Sequence, residues 1–321
     1  MATKEIAAVG VDLGGTTVKV GLVDSKGRIV RKAVLDTFAD EGPDRVVKQI
    51  KKCIYEVLKP GGYKIKGIGI GAPGVVQLKD GIVENPPNFP GWTKVKLGKK
   101  ITEEFKLASF VDNDANAAAI GELIFGAGKK FDSFIMITLG TGVGGGIVLE
   151  KKLFRGSRGF AGEIGHASID YAGPQCKCGS YGCIETYAGN NYLTARVKDA
   201  LLQREDSFIT RIMREEQIPL TPKIISRAME AGDEFAISVV EDLGRKLGYT
   251  FANVANILDV TNFVVGGGVA GFGKRLFTAM EDGAKDRVGK SLKSFIKIVP
   301  AKLKNEAGIL GASALVYYKY N

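Results

Sequence analysis

The chain has 321 residues, 45% of them hydrophobic and 25% charged, a balance that fits one large or two ordinary globular domains with a full core. No apolar run approaches the ~20 residues of a membrane-spanning helix, and the opening MATKEIAAVGVDLGG lacks the basic and apolar segments of a secretory signal, so the expected location is cytoplasmic with no membrane partner. The formal net charge is +10, but the basic residues are scattered, as at Lys48, Lys51, Lys52, Lys129, Lys130, Lys151 and Lys152, which reads as a lysine-rich surface suited to anionic substrates and not as a nucleic-acid interface.

A buried strand is predicted at 6–11, followed by the glycine-rich turn Asp12-Leu13-Gly14-Gly15-Thr16-Thr17. Strands follow at 18–24 and near 28–35. Pro43 opens an amphipathic helix to about Leu58, and Cys53 falls on its apolar face as a small buried hydrophobe. A strand at 66–71 ends at Ala72-Pro73-Gly74, and 85–92 reads as a loop rich in proline and asparagine. A strand at 108–112 leads into an alanine-rich helix from 115 to about 125. The opening pattern then recurs: strand 133–138, turn Leu139-Gly140-Thr141-Gly142, strand 145–149. VDLGGTTVKVGLV beside ITLGTGVGGGIVL is an approximate internal repeat and implies two similar halves. Residues 155–187 are irregular. Helices fill 190–256, one starting at Thr221-Pro222. A strand at 260–265 ends in Gly266-Gly267-Gly268, and further helix, a strand near 295–299 and a last helix from about Gly308 complete an α/β chain.

The first turn joins two strands and precedes no helix, so it is neither a Rossmann fingerprint nor a Walker loop. Glycines let backbone N–H groups approach phosphate oxygens, and threonine hydroxyls add donors. An acid at the strand end, Asp12, suits a magnesium ion. Gly140-Thr141-Gly142 repeats the donors without the acid. Gly266-Gly267-Gly268 is a third place where backbone can approach a flat ligand.

His166, the only histidine, shares 18 residues with Cys176, Cys178 and Cys183. Three thiolates and one imidazole make a structural zinc site, because four protein ligands leave no position for a catalytic water. A disulfide would strand the third cysteine. The metal holds one ring nitrogen of His166 and leaves the other N–H as a rigid donor. Glu163 and Glu185 flank the cluster and offer the acceptors that sugar hydroxyls need. Asp114 sits at a strand-to-helix junction, where it is either a helix cap or a base for phosphoryl transfer. Asp112 competes with it, and spacing alone does not separate them.

Six segments then carry a family resemblance: VGVDLGGTTVKVGLVD (9–24), GIGAPGVV (69–76), ENPPNFPGW (84–92), VDNDANAAAIGE (111–122), LGTGVGGGIV (139–148) and GEIGHASIDYAGPQCKCGSYGCIE (162–185). The chain resembles the ROK family (repressor, open reading frame, kinase), and within it the bacterial-type glucokinases. The resemblance implies an actin-like ATPase, ribonuclease H-like fold of two α/β domains, 1–114 and 115–307, with the active site in the cleft between them. The last helix, 308–321, would pack back on the first domain. It implies that Asp114 is the catalytic base beside sugar-binding Asn113, with Gly74 giving a backbone contact to the sugar. Glu163, His166 and Glu185 would contact the sugar, and His166, Cys176, Cys178 and Cys183 would hold zinc. Asp12 with Gly14, Gly15, Thr16 and Thr17, and Gly140 with Thr141 and Gly142, would form the phosphate turns; Gly266, Gly267 and Gly268 would lie on the adenosine side. The implied activity is phosphorylation of glucose at its 6-hydroxyl by magnesium-ATP, in a homodimer or homotetramer. Fructose, mannose, allose and N-acetylmannosamine are alternative acceptors. A sugar-sensing regulator without turnover is the alternative of another class; the expectation against it is the intact Asp114 and a chain that opens directly on the first phosphate strand.

Overall fold

The computed structural model describes residues 5–204 and 207–318, and the chain divides into two compact units. The first takes the described residues up to Asp132, 151–159 and those from Lys302 on; the second takes Ser133–Glu150 and Phe160–Ala301.

The first unit is built on a five-stranded sheet ordered Ile29–Asp36, Thr17–Asp24, Ile6–Leu13, Lys64–Ala72, Ser109–Asn113. The first three strands are antiparallel neighbours, and the last two run parallel to Ile6–Leu13. Asp12 pairs with Gly71, Gly71 with Asp112 and Ala72 with Asn113, so the three parallel strands end together. Helix Pro43–Leu58 buries Val46, Val47, Ile50, Cys53, Ile54 and Val57. Burial pushes the Cys53 thiol up to about 11, which keeps it protonated and inert.

Two helices in this unit are buried almost all round. Every residue from Ala115 to Leu123 in helix Asp114–Ile124 is buried, as is every residue from Ile309 to Val316 in helix Ala307–Tyr317. Small residues permit this, because a helix enclosed on all sides must let neighbouring backbones come close. A Cβ on Gly69 would overlap the carbonyl oxygen of Ala312 in the last helix. At the crossing of the two helices, a Cβ on Gly121 would lie 2.7 Å from the Cα of Gly311. This packing keeps helix Asp114–Ile124 in the first unit. That unit therefore runs to Asp132 and resumes at Lys302, where the sequence reading drew its limits at 114 and 308.

A small antiparallel sheet, Val75–Gln77, Ile82–Glu84 and Lys94–Val95, has no counterpart among the expected strands. The loop at 85–92 is anchored to it. Phe89 and Trp92 are buried with ring centroids 5.4 Å apart, and Trp92 Nε1 donates to the Val83 carbonyl at 3.1 Å.

The second unit repeats the order of the first. The hairpin Phe134–Leu139 and Val143–Leu149 is antiparallel; Asn262–Gly266 pairs parallel with Phe134–Leu139, and Lys297–Pro300 parallel with Asn262–Gly266. Helices Asn190–Leu201, Phe208–Glu216, Pro222–Glu230, Glu234–Leu258 and Lys274–Arg287 supply its core. Phe251 stacks on Phe263 with centroids 4.6 Å apart. Among the described residues, no helix is long and apolar enough to cross a membrane.

Replacing Gly69 with Ala should force the last helix off the sheet and cost about 3 kcal/mol or more. Urea denaturation of the variant beside the wild type checks this as a lower midpoint with an unchanged slope.

Candidate functional site

In the first unit the candidate residues gather at the common end of the parallel strands. The ends of Ile6–Leu13, Lys64–Ala72 and Ser109–Asn113 carry Asp12, the Ala72-Pro73-Gly74 turn and Asn113-Asp114. Carboxyl ends of strands are where open α/β sheets bind ligands.

Asp12 is about a quarter exposed and lies 3.8 Å from Lys19 Nζ. Burial raises its carboxyl pKa above the usual range, and Lys19 opposes that shift. In the turn beyond, the Gly14 amide donates to the Thr17 carbonyl at 3.1 Å. Thr37 braces the turn from the next strand connection: its hydroxyl donates to the Gly14 carbonyl at 2.6 Å and its amide to the Thr16 carbonyl at 2.9 Å. Gly15 and Thr16 are left exposed at the tip. Neither Gly14 nor Gly15 has a positive φ, so the turn uses them for open access to backbone amides and not for a left-handed bend.

Asp112 and Asp114 have opposite environments. Asp112 is 1% exposed. Its Oδ1 accepts from Arg155 Nη1 at 3.1 Å, from Asn116 Nδ2 at 3.2 Å and from the Asn113 amide at 2.8 Å; its Oδ2 accepts from Arg155 Nη2 at 2.6 Å. A bidentate, buried carboxylate of this kind is structural. Asp114 is exposed at the first position of helix Asp114–Ile124. The capping role belongs to Asn113, whose Oδ1 accepts from the Ala115 amide at 2.9 Å and the Asn116 amide at 3.4 Å. Asn113 Nδ2 donates to the Gly74 carbonyl at 3.2 Å, which brings those two residues together.

In the second unit the turn at 140–142 and the glycine run at 266–268 lie side by side. Gly266 pairs with Thr138, and a Cβ on Gly267, where φ is +93°, would overlap the Leu139 carbonyl oxygen. Gly140, Thr141, Gly267 and Gly268 are exposed there. Glu185 supports the same turn: its Oε2 accepts from the Val143 amide at 2.9 Å, and Gly142 has no room for a Cβ against that carboxylate.

The ligand atoms of His166, Cys176, Cys178 and Cys183 all lie within 4.8 Å of one another. Cys178 and Cys183 Sγ atoms are 3.7 Å apart, and Cys176 Sγ lies 3.6 Å from His166 Nδ1. A tetrahedral zinc site would set such distances at about 3.8 and 3.6 Å, whereas a disulfide would need about 2.05 Å. The cluster therefore fits a four-coordinate metal, with Nδ1 of His166 facing the ion and Nε2 left over. The chain doubles back at Gly182, where φ is +61° and a side chain would run into the Asp170 carbonyl. Glu163 is exposed one turn before His166, and its carbonyl accepts from the His166 amide at 3.1 Å.

Three participants escaped the sequence reading: Thr37 behind the first turn, Lys19 beside Asp12, and Arg155 on Asp112. Lys19 stands opposite Asp12 across the hairpin, so pairing register alone could have found it. Thr37 and Arg155 carry no local signal.

The ROK family profile matches residues 8–319. The glucokinase of Thermotoga maritima is 33% identical over 97% of this chain and 98% of its own. A xylose repressor of Caldicellulosiruptor bescii is 31% identical over 96% of this chain and 77% of its own. Among solved structures, a ROK family glucokinase from Streptomyces griseus in complex with glucose and AMPPNP aligns with a TM-score of 0.83 at 34% identity, over 96% of this chain and 98% of that one.

Protein purified without chelator should carry one tightly bound ion per chain, and Cys178→Ser should lose it and melt at lower temperature. Metal analysis with thermal denaturation checks both outcomes.

Proposed function

The chain belongs to the ROK family, and from that membership we propose that it is a cytoplasmic, ATP-dependent glucokinase that phosphorylates the 6-hydroxyl of glucose. The observation that carries the reading is the shared strand end of the first unit. It presents Asp12, Gly74, Asn113 and an exposed Asp114 side by side, while Asp112 is sequestered by Arg155. The relatives named above that are glucokinases support the choice of sugar.

The roles follow from the donor and acceptor chemistry. Phosphoryl transfer needs positioning and charge stabilisation more than covalent catalysis. Asp114 accepts the proton of the attacking 6-hydroxyl. Asn113 is fixed by its cap bonds and by Gly74, so it meets a sugar hydroxyl at low entropic cost. Glu163 and Glu185 accept from sugar hydroxyls, and His166 donates to one through Nε2–H. Amides and hydroxyls at 14–17 and 140–142 receive the phosphates, and the glycines at 266–268 flank the adenosine. Magnesium entering with ATP, near Asp12, would supply charge neutralisation on the phosphates. His166, Cys176, Cys178 and Cys183 would hold zinc, which would serve structure and fix the His166 ring. Glu185 belongs to both the sugar set and the support of the second turn, so loss of its carboxylate would disturb both.

The test is a coupled assay of ADP release with magnesium-ATP and a panel of hexoses, each set against a blank without sugar. Glucose should give the largest kcat/KM. A larger value with fructose, mannose, allose or N-acetylmannosamine would retain the chemistry and overturn the assigned substrate. Sugar binding without any ADP release, from metal-loaded protein, would overturn the kinase reading in favour of a sugar-sensing regulator, the kind of role a repressor relative has.

A further inference from the structure

Gly308 stands in the first turn of the last helix, Ala307–Tyr317, directly against the Asp12 side chain. A Cβ built on Gly308 would lie 2.7 Å from Asp12 Oδ1 and closer still to Cγ and Oδ2, and these are the three nearest atoms. Backbone conformation does not call for glycine here, since Gly308 has no positive φ. Helix propensity does not call for it either, since alanine is the better helix former. The following turns use alanine freely, at Ala312 and Ala314. The Asp12 carboxylate is what a methyl group there would meet first. That carboxylate has a second neighbour: Lys19, opposite it in the hairpin, holds its Nζ 3.8 Å from Oδ2.

We propose that Gly308 is a positioning residue for the magnesium-nucleotide complex: by omitting a side chain it leaves the volume in which the Asp12 carboxylate stands, and so fixes where those oxygens are presented. The inference rests on the reading above, in which Asp12 serves the magnesium of ATP. An alanine at 308 would keep the helix and swing the carboxylate away. The signature is thus a protein at least as stable as the wild type that handles free nucleotide normally and magnesium-nucleotide poorly.

The experiment compares Gly308→Ala, Asp12→Ala and the double variant with the wild type, using calorimetry for ADP binding with and without magnesium, and thermal denaturation. The wild type should bind ADP more tightly with magnesium than without. Gly308→Ala should lose roughly tenfold of that preference, the size of a misplaced charged contact, with free ADP affinity retained and a melting temperature no lower. Removing the carboxylate removes the clash, so the double variant should bind like Asp12→Ala and melt above it. A Gly308→Ala protein that keeps the full magnesium preference would overturn the inference while leaving the Asp12 reading intact. An Asp12→Ala protein that keeps the preference would remove the Asp12 reading, and the inference with it. Should Gly308→Ala fail to fold, the double variant decides: a folded double supports a clash confined to Asp12, and an unfolded double overturns it.

Discussion

The arrangement of the first unit depends on one constraint: three parallel strands, Ile6–Leu13, Lys64–Ala72 and Ser109–Asn113, are locked in a register that makes them end together. A slip of one residue would turn every buried side chain of a strand to the wrong face, so the buried pattern of Val9, Val11, Ile68, Ile70 and Val111 enforces that register. The chemistry-bearing residues inherit their alignment from it. The helices that follow are seated by absent side chains: Gly69 and Gly121 admit the last helix and the helix after Asn113 at backbone distance. Glu122 secures the junction from inside. Fully buried, it accepts from the Ala127 amide at 2.5 Å and the Leu303 amide at 2.8 Å.

Two carboxylates two residues apart meet different environments. Asp112 still belongs to the strand and points into the unit, where an unpaired charge would be costly and a broken buried pair loses about 3–5 kcal/mol. Arg155 meets that need from the short segment 151–159, which returns to the first unit between two stretches of the second. Asp114 opens the helix with its side chain exposed; Asn113 caps the helix, and Asp114 Oδ1 accepts from the Ala115 amide at 2.8 Å. In the second unit, Glu185 and the metal-ligand loop play the matching part. Cys183 and Glu185 are two residues apart, so an ion held by the cluster would also order the carboxylate that backs the second turn.

Strand and helix order and the hairpin repeat were legible from local pattern. Alternating or continuous apolar runs flanked by glycine set the strands. The cluster of one histidine and three cysteines needed no tertiary information. Other features were illegible for physical reasons. The strands Val75–Gln77, Ile82–Glu84 and Lys94–Val95 are two or three residues long, too short for a period to show. Helix Leu97–Phe105 did leave a signal, apolar residues at 97, 101 and 105, but its lysines and glutamates obscured it. That Asp112 is buried and paired depended on Arg155, 43 residues further along the chain. The limit of the first unit depended on a glycine-to-glycine helix crossing that links residues 121 and 311.

If Asp114 takes the proton from the sugar hydroxyl, the decisive variant is Asp114→Asn, with turnover on glucose and magnesium-ATP measured alongside glucose affinity by calorimetry. Turnover should fall by about 10²–10⁴-fold, the usual share of a general base, with glucose binding retained. Near-normal turnover in that variant would contradict that role.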